Sequence, residues 1–176
     1  MHSLVRRLCV VQAPGGKWKG RLNAGGVTMP CTLGPAGVTQ MKRESDGATP
    51  AGRFALLFAY LRPGARGLRP RRLPARTTRR DDLWCDAPGH GLYNRPARPP
   101  LRVSHEKLWR ADGVYDVVIV LDYNLRPRRQ GRGSAIFFHL AREIPAPTAG
   151  CVAISAADMR RLLPRLSHKA CMIIRR

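Results

Sequence analysis

The sequence predicts a mainly β fold with a few short helices (α+β), and three observations carry that reading. Glycine (17 residues) and proline (15 residues) punctuate short apolar runs along the whole 176-residue chain, which is the pattern of many short strands joined by turns. Two runs, Val114-Tyr-Asp-Val-Val-Ile-Val-Leu and Ala135-Ile-Phe-Phe, concentrate β-branched and aromatic residues and are apolar on both faces, as strands inside a packed sheet are. Only one stretch has a clear helical period.

Taken in order, strands are expected at Leu4–Val11, Arg53–Tyr60, Gly113–Leu121, Ser134–Leu140 and Ala170–Ile174. The helix is expected after Ser155, which caps it with Asp158 three residues on, while Met159, Leu162, Leu163 and Leu166 share one face. Pro164 lies inside that pattern and shortens or kinks the helix. The length suits one domain, residues 1–176, large enough to bury a core. Residues 62–80 and 94–100 read as surface loops.

Charge narrows the classes of partner. Lys and Arg number 32 against 11 Asp and Glu, a net +21, which predicts an anionic partner or surface: nucleic acid, acidic lipid or a carboxylate-rich wall polymer. The densest basic stretch is the Arg/Pro-rich segment 62–80. It is either a docking loop for a polyanion or a solvated excursion in an arginine-biased chain, and the second reading is preferred. Aromatic content of 6% argues against a base-stacking nucleic-acid surface. The longest uninterrupted apolar run, Phe54–Leu61, is too short to span a membrane. Leu8–Val11 is too short for the apolar core of a secretory signal, so none is visible.

Five cysteines (Cys9, Cys31, Cys85, Cys151 and Cys171) are scattered and include no CxxC pair. Neither a disulfide scaffold nor a structural zinc site has support, and neither metal nor cofactor is expected. Four of them are assigned to packing, with pairing between any two left open. Cys151 is different. His139 ends a hydrophobic strand, and a loop with Pro145 and Pro147 returns the chain to Thr148-Ala-Gly-Cys. A thiol becomes a good nucleophile when a nearby imidazole takes its proton. Gly150 allows a tight turn beside the sulfur, and its backbone N–H is an oxyanion donor candidate. On these two residues alone, a packed cysteine beside an unrelated histidine is an equally good reading.

The surrounding string adds more. His139…Pro-Thr-Ala-Gly-Cys-Val-Ala-Ile resembles the signature of the L,D-transpeptidase (YkuD-domain) family, in which a histidine precedes Ser/Thr-x-Gly-Cys. Lys42-Arg-Glu-Ser-Asp-Gly-Ala-Thr-Pro-Ala-Gly-Arg-Phe is similar to a second motif of that family. Trp84-Cys-Asp-Ala-Pro…Leu-Tyr-Asn-Arg, Trp109-Arg-Ala-Asp-Gly-Val-Tyr-Asp, Tyr123-Asn and Gly133-Ser-Ala-Ile-Phe-Phe-His follow in the family's order over about residues 40–166.

The resemblance implies a β-sandwich of mixed sheets acting on peptidoglycan stem peptides, with Cys151 as nucleophile and His139 as general base. It implies a thioester resolved by the side-chain amine of diaminopimelate, giving 3,3 or L-Ala–diaminopimelate (1,3) crosslinks. D-amino-acid exchange or carboxypeptidase activity would be the same thioester resolved differently. Carbapenem β-lactams become expected covalent inhibitors, and the periplasm or cell wall the expected location. Leu140, Ala149 and Ala153 depart from the family's Gly, His and Arg; these losses fit a compact branch making 1,3 crosslinks. Thr148 is expected to shape the loop, and His90, Tyr93, Asn94 and Arg95 to form either a substrate wall or a self-supporting turn. His105-Glu106 reads as an ordinary polar pair, and Trp84 and Trp109 as core or rim anchors. The competing class is a basic nucleic-acid or polyanion binder with an incidental Cys/His pair.

Overall fold

Five consecutive apolar residues, Val117–Leu121, cannot all face one side of a strand, because side chains alternate. Both sides of that strand must therefore be covered. In the computed structural model, which describes residues 4–176, this is what divides the molecule into two cores. Val117, Ile119 and Leu121 join one cluster with Leu8, Val10, Leu22, Phe138 and Ile154. Val118 and Val120 join another with Tyr60, Trp84, Tyr115, Phe137 and Cys151.

In chain order the strands begin with β1 (Val5–Gln12), β2 (Lys19–Ala24), β3 (Val27–Thr32), β4 (Gly37–Thr39), β5 (Ala48–Pro50), β6 (Gly52–Leu61) and β7 (Ala75–Thr77). They continue with β8 (Leu83–Cys85), β9 (Arg95–Ala97), β10 (His105–Lys107), β11 (Val117–Leu121), β12 (Phe137–Leu140) and β13 (Val152–Ile154). The chain then forms α1 (Ala156–Leu162) and β14 (Leu166–Arg175). Among the described residues the main sheet has nine strands, in the order β11-β12-β13-β3-β2-β1-β14-β6-β7. It is mixed: β1–β14, β12–β13 and β6–β7 are parallel and the other neighbours antiparallel.

The mainly β, mixed-sheet architecture expected from the sequence is the observed one, and the sheet has a further property. Residues 52–55 of β6 pair with β14 while residues 56–61 pair with β11. The hydrogen bonding therefore returns on itself and encloses the first, aliphatic core. A second layer, the three-stranded sheet β10-β8-β9, covers the outer face of β6, β11 and β12 and encloses the aromatic core. The candidate site lies between that second layer and the main sheet.

Every expected strand is present, with altered ends. Residues 113–116 form a turn, closed by Asp116 N–H donating to Gly113 O at 3.0 Å, so β11 starts at Val117. β12 starts at Phe137 because Ala135 sits at φ +50°, outside the extended region. Ser155 caps α1, its Oγ accepting from Asp158 N at 3.1 Å, and the helix tightens into a 3-10 turn, Leu163–Arg165, that accommodates Pro164. Segment 62–80 is anchored rather than loose: Leu68 and Leu73 are buried in the first core, while its arginines, apart from the half-buried Arg62, stay exposed. All five cysteines are free thiols. No described helix is long and apolar enough to cross a membrane.

Candidate active site

Parallel pairing of β12 with β13 sets Phe138 opposite Val152 and His139 opposite Ala153. With a period of two, Phe137 and His139 then share a face with Cys151 and Ala153. That face is the outer one, under the second layer. Sequence positions 139 and 151 are thus brought to one wall by register alone. The Cys151 thiol donates to Ala135 O at 3.2 Å, and its sulfur accepts from Phe137 N–H at 3.3 Å. Burial pushes the thiol up to about 12, offset in part by the Phe137 N–H and by Lys42, and reinforced by Glu106.

His139 donates from Nδ1 to Leu140 O at 2.8 Å. A carbonyl only accepts, so the neutral ring carries its proton on Nδ1 and keeps its lone pair on Nε2. The Tyr115 ring meets the imidazole edge-on, with centroids 5.1 Å apart. Burial pushes the imidazole down to about 4, opposed by the carbonyls of Leu140 and Val114. Near neutral pH the pair is therefore a thiol and a neutral imidazole rather than an ion pair.

The loop before β13 is fixed by Thr148. Its hydroxyl donates to Cys151 O at 2.7 Å and accepts from Gly150 N–H at 3.1 Å, while Thr148 N–H donates to Leu33 O at 2.9 Å. Gly150 has φ +127°, and a Cβ there would lie 2.6 Å from Ala48 O. Only glycine fits without moving backbone. The N–H expected as an oxyanion donor is held by Thr148, so serving a substrate oxygen requires it to exchange that partner. The loop's far side opens on a cavity of about 380 Å³, whose lining includes Cys151, His139, Thr148, Tyr115, Glu106 and Arg110.

The chain matches the family model of the L,D-transpeptidase catalytic domain (YkuD) over residues 19–174. It belongs to that family. No curated protein and no solved structure matches it. L,D-transpeptidases are acyltransferases acting on peptidoglycan stem peptides.

The string that resembles the family's signature, from His139 to Cys151, lies on the wall just described and inside the matched span. Leu140, which departs from the family's usual glycine, still supplies through its backbone carbonyl the group that orients His139. The group that holds the imidazole is a main-chain atom, which no side-chain pattern announces. Ala149 and Ala153, the other two departures, also line the cavity.

Thr148, expected to shape the loop, also lines the cavity, whereas His90, Tyr93, Asn94 and Arg95, the candidates for a substrate wall, do not. Tyr93 is buried with its hydroxyl donating to Glu44, and Asn94 is enclosed with all its polar atoms bonded to protein. His90 Nδ1 accepts from Leu92 N–H at 3.1 Å within its own turn, and Arg95 lies beside a separate cavity with Trp84 and Leu125. The self-supporting turn describes His90 alone: Tyr93 and Asn94 bond distant segments, and Arg95 opens β9. Sequence reasoning missed the charged lining of this cavity: Glu44, Asp86, Glu106, Arg110 and Arg142. Glu106 reads from the sequence as an ordinary polar residue, yet burial and nearby Asp86 raise its carboxyl, and Tyr115 donates to it at 3.5 Å. Arg110 lies 5.1 Å above the Tyr115 ring and bonds Asp112 through two nitrogens, at 3.0 and 2.7 Å. Among the described residues no group of three or more His, Cys, Asp or Glu is placed to hold a metal ion.

Proposed function

We propose that this L,D-transpeptidase domain crosslinks peptidoglycan stems through a thioester on Cys151. The observation that carries the reading is that Cys151 and His139 share one face of adjacent parallel strands and line the same cavity. His139 Nε2 takes the thiol proton, the thiolate adds to the donor carbonyl, and collapse of the tetrahedral adduct expels the residue beyond the scissile bond, which leaves with that proton. The side-chain amine of a neighbouring diaminopimelate then attacks the thioester, loses a proton to His139 and releases the thiol. The Cys151 N–H, together with the Gly150 N–H once it exchanges the Thr148 hydroxyl for the substrate oxygen, stabilises the oxyanion, about 3 kcal/mol for each donor. Thr148 holds the loop that presents them.

Alanines at 149 and 153, where the family usually has histidine and arginine, remove two polar contacts from the cavity lining, and that loss favours a donor attacked at L-Ala and hence 1,3 crosslinks over 3,3. Water or a free D-amino acid reaching the same thioester gives carboxypeptidase or exchange activity. The place of action is the periplasm or cell wall, with a role in wall biogenesis and cell shape. Carbapenems acylate the same sulfur. Two measurements test this: mass spectrometry after carbapenem exposure, where one adduct on Cys151 is expected, and fragmentation of dimers made from muropeptides of defined stem length. An unmodified Cys151 together with no dimers would overturn the reading.

A further inference from the structure

Asn94 lies outside the cavity, yet its bonds lead to the sulfur. It is 1% exposed, and its side chain uses both ends. Nδ2 donates to the carbonyls of Tyr123 (3.1 Å) and Asn124 (2.8 Å), while Oδ1 accepts from Trp84 Nε1 (2.9 Å) and from Ala135 N–H (3.1 Å). Ala135 has φ +50°, a left-handed backbone that alanine adopts only when its surroundings insist. Its neighbours are fixed as well: Asn124 Nδ2 donates to Gly133 O at 2.8 Å, and Ser134 Oγ to Glu44 at 2.8 Å. The product of this arrangement is one carbonyl, Ala135 O, aimed at the Cys151 thiol 3.2 Å away.

We infer that Asn94 is a positioning residue for the nucleophile: by holding Ala135 in its left-handed turn, it keeps the Cys151 proton capped by the Ala135 carbonyl. A hydrogen bond to the neutral form of an acid disfavours its ionisation. The resting sulfur is consequently a protected thiol that becomes a thiolate only when a bound substrate draws it from the cap toward His139 Nε2. Capping also restrains side reactions, because thiolates are the form that oxidises and alkylates. The inference rests on Cys151 being the reacting sulfur. The other titratable groups facing that sulfur are His139 on β12, Tyr115 ahead of β11, Glu106 on β10 and Lys42 between β4 and β5. None of the variants below alters them.

The test is the rate of alkylation of Cys151 by iodoacetamide in the whole protein, read by peptide mass spectrometry from pH 7 to 10. Asn94→Ala frees Ala135 to return to negative φ, and the thiol is expected to alkylate about tenfold faster at each pH, equivalent to a fall of one unit. Trp84→Phe removes the other donor to the same Asn94 oxygen, a comparable structural loss, and is expected to leave the rate unchanged. A wild-type rate in folded Asn94→Ala, or equal acceleration in Trp84→Phe, overturns the inference. Should Asn94→Ala not fold, Ala135→Pro decides by the same readout, since proline lacks the N–H and fixes φ negative. An infrared difference spectrum, wild type minus Cys151→Ser, needs no change at either position. The S–H stretch is expected at the low frequency of a thiol bonded to a carbonyl, and a free-thiol frequency overturns the inference. Alkylation reads the sulfur alone, so its outcome is separable from carbapenem adducts and muropeptide dimers, which judge the enzymatic reading.

Discussion

The two faces of β11 and β12 are built from neighbouring residues of the same strands, and they differ in kind. Inward, Val117, Ile119, Leu121, Phe138 and Leu140 join the aliphatic core. Outward, Val118, Val120 and Phe137 share their layer with a thiol, an imidazole, a tyrosine and a carboxyl whose proton affinities are all displaced by burial. The inner face supplies stability at little chemical risk. The outer face keeps ionisable groups away from water, which is costly for folding and useful for chemistry. Mutations on the two faces should therefore separate stability from activity.

The largest expected effect is on the outer face. Cys151→Ala and Cys151→Ser abolish carbapenem adducts and muropeptide crosslinking while keeping wild-type circular dichroism; turnover by either variant would remove the assignment. On the inner face, Phe138→Ala lowers unfolding free energy by about 3–5 kcal/mol, measured by urea titration, with the pH profile of acylation unmoved.

Next comes pH. His139 binds its proton near 4 when folded and near 6.5 when unfolded. Between those values the unfolded chain holds more protons, so stability rises with pH and levels off above 6.5. The span corresponds to about 3 kcal/mol, and His139→Gln should flatten it. Cys151 works in the opposite sense. Its thiol is pushed from 9.0 to about 12, so the folded state holds the extra proton above pH 9 and its stability declines there. A stability plateau from about pH 6.5 to 9 is the combined expectation.

A smaller change is expected at Thr148→Ala, which loses two hydrogen bonds of the loop: about 1–2 kcal/mol and slower acylation, both restored in Thr148→Ser. The smallest belongs to the exposed arginines of 62–80. Arg69→Ala should shift stability by no more than about 0.5 kcal/mol.

What the sequence disclosed follows the same division. The strands of the inner core were legible because β-branched runs and flanking glycines are local signals. β2 and β3 were not: Lys-Gly-Arg-Leu-Asn-Ala has little strand propensity, and its pattern of alternate burial appears only once β1 lies beside it. The Gly25-Gly26 turn between them, with φ +60° and +84°, was the available hairpin signal. At the site, the Cys/His wall could be read from one motif and its flanks. The Leu140 carbonyl, the Asn94–Ala135 link and the Glu106–Tyr115 contact could not, since they depend on backbone direction and on pairing across the second layer. Tyr93-Asn94-Arg95 shows the limit well: a polar string in a Gly/Pro-rich loop suggests a surface, and two of its three side chains are buried.

The sheet's return upon itself bears on how these molecules behave in company. Eight of the nine strands have neighbours on both sides, leaving β7 as a three-residue flap bounded by Pro74 and carrying Arg76. A lone ribbon that short, charged and proline-flanked is a poor template for another chain's backbone. At high local concentration the main sheet thus offers other copies almost no edge to zip onto.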